Sequence, residues 1–222
     1  MAATRTQSVT NTAPAGTTIS ATIAAPSANS LIVTAVGIDK NSGAITVPTN
    51  FTLLNDYVSD NVSGGFAFKV SDGTETSVAW NWATAQIPSM WVGVYTGLTT
   101  TPLDVKAEAD SGATSVTSQT TGTTAATSQA LELAISVMAA DTNLNVDLGR
   151  AWTNSFTELV WVTGGGSGDP GMSIAERNLT ATGAVETTFS TTDIGDQMWA
   201  SVAAFKEAAA APPQRTLMGV GT

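Results

Sequence analysis

The sequence predicts an all-β protein built as an antiparallel sandwich, and three observations carry that prediction. Almost every apolar stretch is short, rich in Val, Ile, Thr, Phe and Trp, and bounded by Gly, Pro, Asn, Asp or Ser, which is the strand-and-turn signature. The one run of good helix formers, KEAAAA from Lys206 to Ala211, stops at Pro212 and Pro213 and is too short to hold a helix unaided. Six apolar segments of the first half also recur, in order and spacing, in the second.

Taken in order, the first-half strands are TTISATI (17–23), SLIVTAVGI (30–38), FTLLNDYV (51–58), GFAFKV (65–70), TSVAWNW (76–82) and MWVGVYTG (90–97). The second half offers TSVTSQTT (114–121), ALELAISVM (130–138), FTELVWV (156–162), MSIAERN (172–178), ETTFSTT (186–192) and MWASVAAF (198–205). Side by side, Leu31 and Val33 face Leu131 and Leu133, Phe51 and Leu54 face Phe156 and Leu159, Phe66 and Phe68 face Met172 and Ile174, and Met90-Trp91 faces Met198-Trp199. Matches in successive strands point to duplication rather than chance. In MWVGVYTG, Trp91, Gly93 and Tyr95 fall on one face and Val92 and Val94 on the other, so both faces are apolar and the strand is expected at the centre of a sheet.

A repeat of about 100 residues is half a large sandwich or one small one. The expected architecture is a jelly-roll-like antiparallel β-sandwich of about twelve strands built from two duplicated halves, 15–98 and 113–206, with two tandem six-stranded sandwiches as the alternative. Residues 1–14 read as a flexible polar segment and 207–222 as an extended arm.

Composition removes several functions. Hydrophobic residues make up 42% of the 222, but charged ones only 12%, against about 25% in ordinary domains, so the surface is unusually uncharged. With 8 basic against 18 scattered acidic residues, no basic groove is expected to track nucleic acid. No apolar run approaches the roughly 18 to 20 residues of a membrane span, and MAATRTQSVTNTAPAG has no apolar stretch for a signal peptide. Cys and His are both absent, which removes thiol nucleophiles, the commonest general base and the usual zinc ligands.

No catalytic, cofactor-binding or metal-binding residue is therefore expected. Asp56 with Asp60 and Asp193 with Asp196 are carboxylate pairs near strand ends, and they read as solvated turn residues. Asp141, Asn143, Asn145 and Asp147 alternate as the first ligands of a calcium loop do, yet Val146 and Trp152 stand where such a loop needs Gly and Glu. The glycine runs VSGG (62–65) and GGGSGDPG (164–171) read as hairpin loops. Trp80, Trp82 and Trp152 are candidate glycan-stacking residues, weighed against a simpler role as core fillers between sheets of small side chains. Beyond the Pro212-Pro213 stop, Arg215 and the apolar Leu217, Met218 and Val220 are candidate partner-binding residues, because a solvated tail has no need of an apolar tip.

The run WVGVYTGLTTTPLD, Trp91 to Asp104, resembles a pattern of phage-encoded jelly-roll-like β-sandwich virion proteins. In that pattern a strand ending Tyr-x-Gly leads into a Pro-x-Asp segment, and the second half closes on a Trp-bearing strand, here Met198 to Phe205. The resemblance spans most of residues 17–206 and implies a non-enzymatic virion component of capsid decoration, head-fibre or tail-associated type. Its implied partners are major capsid or other virion proteins, with several copies of the chain on a particle assembled in the host cytoplasm. It transfers no catalytic residue, and Pro212 to Thr222 have no counterpart in it. A carbohydrate-binding module or adhesin is the alternative function.

Overall fold

The computed structural model describes residues 2–141, 149–164, 170–192 and 197–209. Sixteen strands run through them. The first half holds β1 (Thr4–Thr12), β2 (Gly16–Thr22), β3 (Leu31–Asp39), β4 (Ile45–Thr46), β5 (Thr52–Val58), β6 (Val62–Val70), β7 (Ser77–Gln86) and β8 (Pro88–Thr96). The second holds β9 (Leu98–Asp110), β10 (Ser118–Thr120), β11 (Leu131–Ala140), β12 (Ala151–Trp152), β13 (Thr157–Thr163), β14 (Gly171–Thr180), β15 (Thr188–Ser190) and β16 (Met198–Glu207).

Each half is its own sandwich of a five-stranded and a three-stranded sheet. The inner sheets run β1-β8-β3-β6-β5 and β9-β16-β11-β14-β13, and the outer sheets β2-β7-β4 and β10-β15-β12, so adding eight to every first-half strand gives the second half. The inner sheets then stack face to face in reversed order: β3 lies over β11, β6 over β16, β8 over β14, β1 over β13 and β5 over β9. The molecule is thus four layers deep, and its central core, including Leu31, Val33, Phe66, Trp91, Ile135, Val137, Trp199 and Phe205, draws on both halves. Separate cores fill the space under each outer sheet.

Double coverage explains the sequence of the inner strands. LIVTAVGID and PSMWVGVYT are apolar on both faces because one face meets the outer sheet and the other the second half. As the alternation predicts, Trp91 and Tyr95 enter the central core while Met90, Val92 and Val94 face the outer sheet, and β8 sits inside its sheet. Polar contacts tie the halves further: Tyr95 Oη donates to Glu176 Oε2 at 2.8 Å, Arg5 pairs with Glu176 at 3.2 Å, and Asn55 Nδ2 donates to Ser201 Oγ at 2.8 Å. Phe68 and Phe205 meet edge to face at 5.6 Å.

Four details differ from the expectation. Sixteen strands replace about twelve: β4 and β12 are too short to show an apolar pattern, and the partly exposed edge strand β9, Leu98–Asp110, carries the second half back across the expected gap between 98 and 113. Residues 4–12 are not a loose segment but the edge strand β1, whose side chains are mostly exposed and so show no apolar period. Gly64 and Gly65 lie inside β6 rather than in a hairpin loop. In the register, Ala35 sits between Phe66 and Trp91 as Ala139 sits between Met172 and Trp199, so Phe66 corresponds to Met172 and Trp91 to Trp199 as expected. The same register matches Leu31 with Ile135 instead of Leu131, a slide of four residues that preserves the faces and leaves Leu131 53% exposed.

Candidate functional site

The structure redistributes the residues that the sequence singles out. Trp80 is fully buried, donating its indole N–H to Thr34 Oγ1 at 3.0 Å, and Trp82 is 4% exposed, so neither ring offers a face for a sugar to stack on. Both fill the core under the first outer sheet, where the neighbouring side chains are too small to do so. Trp152 is half-buried, in edge contact with Phe189 at 5.4 Å and bonded to Ser173 Oγ at 2.9 Å. Asp56 and Asp60 are exposed, and Asn41 Nδ2 reaches Asp60 Oδ1 at 3.3 Å. Asn143, Asn145 and Asp147 of the calcium-like loop lie outside the described residues, as do Asp193 and Asp196 and the tail residues Arg215, Leu217, Met218 and Val220. No cluster of three or more Asp or Glu suited to a metal ion occurs among the described residues, and no helix among them is long and apolar enough to cross a membrane.

What the structure brings together is one end of the molecule. Gly97, between β8 and β9, takes φ +85°, and a Cβ there would lie 2.7 Å from the Ala2 carbonyl, so only glycine fits. Its own carbonyl accepts the Ala208 N–H at 2.8 Å. The chain therefore enters β1 and leaves β16 at the corner where the halves join. Beside that corner, Phe68, Val70, Pro102, Leu103 and Lys206 line a shallow groove of about 300 Å³. At the other end of β3, Asn41, Tyr57, Asp60, Asn61 and Gln197 line a polar groove of about 630 Å³ between the loops of both halves.

Two features near the exit corner have no counterpart in the sequence reading. Residues 121–129 form a strap against residues 183–187, and it is zipped at every third position. Thr121, Thr124 and Thr127 donate their N–H groups to the carbonyls of Thr187, Val185 and Gly183 at 2.9, 3.0 and 3.0 Å. The same three residues accept through Oγ1 from the N–H groups of Thr187, Val185 and Gly183 at 3.1, 2.9 and 3.3 Å. All three are buried, while Thr123, Ala125, Ala126 and Ser128 are exposed. A three-residue repeat matches the period of an extended polyproline-type helix rather than that of a strand, although Ala126 makes an isolated antiparallel bridge to Ala184.

The strap ends over a pair of acids, Glu132 buried and Asp104 half-buried. Glu132, the second residue of β11, is fully buried. Its polar neighbours are Asp104 of β9, Lys206 of β16 and the Gln129 backbone. Burial and the adjacent Asp104 push Glu132 up to about 7, and the Gln129 backbone N–H and Lys206 offset only part of that. Burial acts to raise Asp104 as well, but it is outweighed by the Ser128 N–H and hydroxyl, the Glu132 carboxyl and Lys206, which hold Asp104 below the usual carboxylate range. Ser128 donates both its N–H and its Oγ–H to Asp104, the latter at 2.7 Å, and Lys206 Nζ stands 3.7 Å away. A lone Glu inside the apolar run LELAISVM was the available signal. Comparison with protein families, with curated proteins and with solved structures finds no match to this chain.

Proposed function

We propose that the protein is a non-enzymatic structural component of a phage virion, bound to the particle surface as a capsid decoration or head-fibre type protein. The observation that carries this reading is the exit corner: the C-terminal segment leaves the double sandwich at Ala208, whose N–H is held by the Gly97 carbonyl. One end of a rigid body is then the attachment end, and the loop-bearing end, with its polar groove, faces outward. Arg215, Leu217, Met218 and Val220 follow the exit directly and supply an apolar tip with one positive charge on an otherwise acidic chain. Their partners are the shell proteins, and several weak arms acting together on one particle gain strength by effective concentration rather than by new contacts.

The test is co-sedimentation of the full chain, and of a chain lacking residues 212–222, with purified particles. The full chain is expected at a regular copy number and the shortened one at background level, while both unfold at the same temperature because the described core ends before the deletion. Equal binding by the two chains would reject the arm, and the absence of regular binding by the full chain would reject the virion reading.

A further inference from the structure

Glu132 faces, on its side of the inner sheet, Lys206 across β16 and the apolar Leu179 across β14, since each is its direct register partner. Asp104 reaches it from β9, and Ser128 and Gln129 from the strap; Glu207 alternates to the opposite face, opposite Leu98. Asp104 accepts two bonds from Ser128 and has Lys206 3.7 Å away, whereas Glu132 has one backbone donor, Gln129, so the hydrogen between the two acids belongs to Glu132. The cluster then holds a neutral Glu132, a negative Asp104 and a positive Lys206, and its charge is zero. If Glu132 loses its proton to solvent, a net negative charge is left in a buried site, which is unfavourable unless water enters.

The element that can admit water is the end of the strap. It is held by the two Ser128 bonds to Asp104 and by Gln129 Nε2, which donates to the carbonyls of Leu131 and Glu207. The strands around it are locked in the inner sheet. We propose that Glu132, Asp104 and Lys206 form a proton-operated latch that closes the end of the strap, Ser128 and Gln129, over the second half when Glu132 is protonated and releases it when Glu132 ionises. The latch stands whether or not the protein binds a particle.

The sign follows from the direction of the shift. Glu132 is raised from its ordinary 4.5 to about 7 in the folded chain, so its contribution to closure is complete below about 4.5 and is lost as pH rises through about 7. Glu132→Gln imitates the protonated acid, because its amide donates to Asp104, and it locks the strap at every pH.

The experiment is amide hydrogen exchange of Ser128 and Gln129 between pH 5.5 and 8.5, corrected for intrinsic rates, in the natural chain and in Glu132→Gln. Protection in the natural chain is expected to fall about tenfold per pH unit as pH rises toward 7, the slope of one released proton, and to level off above 7. Glu132→Gln is expected to stay flat. Natural-chain protection that does not change with pH, or a variant that keeps the fall, overturns the latch. If the variant fails to fold, infrared spectroscopy of the natural chain decides: a protonated-carboxyl band present at pH 6 and gone by pH 8.5 supports the latch, and no such band at pH 6 overturns it.

Discussion

At the scale of residues, the inner layers depend on glycines facing tryptophans. A Cβ placed on Gly64 would lie 2.6 Å from the Trp199 ring, and one on Gly65 would lie 2.8 Å from the Trp80 ring. Real Cβ atoms do not approach so closely, so each ring occupies the space that a side chain would take. The two contacts point opposite ways from one strand, Gly64 into the second half and Gly65 into the first outer sheet. Gly64→Ala forces either β6 or Trp199 to move and is expected to cost about 1–3 kcal/mol by overpacking. Urea unfolding checks this, and a change within error would mean that the layers shift freely. The paired tryptophans themselves are positioned alike: Trp91 Nε1 donates to Ser8 Oγ at 3.0 Å and Trp199 Nε1 to Glu108 Oε2 at 2.9 Å, each acceptor on the edge strand beside it.

At the scale of elements, the strap is the least conventional part of the second half. Replacing Thr124 by Val keeps its shape but removes the acceptor for the buried Val185 N–H, which is expected to cost about 1–3 kcal/mol. Thr123→Val, at an exposed neighbour, is expected to cost less than half as much, and equal costs in thermal unfolding would dismiss the three-residue zipper. Such a zipper leaves no trace that a search for periods of 2 or 3.6 detects, so GTTAATSQ (122–129) falls between the predicted strands. The inner strands β3, β8, β11 and β16 were legible because covering both faces demands long apolar runs. β1 was not, because a strand at the edge of an inner sheet packs only Val9 against a core. Each edge strand of the inner sheets also carries a register break: Arg5/Gln7 in β1, Leu53/Asn55 in β5 and Glu158/Val160 in β13, with others where β16 meets β9. Such bulges blunt edges against pairing with further chains. Of the candidate site, the tryptophan burial was readable as core filling, whereas the acid pair needed the fold, since Asp104, Glu132 and Lys206 meet only through the pairing of β9, β16 and β11.

At the scale of the molecule, the reversed stacking of the inner sheets makes the halves interdependent. Each inner face is apolar over its central strands and is covered there by the other half. Calorimetry of the full chain is expected to show one cooperative transition. Chains of residues 1–97 and 98–222 expressed apart are expected to lack cooperative unfolding until mixed. Independent transitions in the separate chains would show that the central core contributes little. The arrangement has a further meaning. A contact in which one surface meets its own counterpart in reversed order is what two identical subunits make around a two-fold axis. Joined in one chain, that contact no longer dissolves on dilution, and identical sequence on its two sides is no longer required. The copies have used that freedom: glycine against tryptophan on one side, serine against glutamate as indole acceptors, and the threonine strap with its acids in the second copy. Specialisation of one face without disturbing its twin is open to a fused pair and closed to a homodimer.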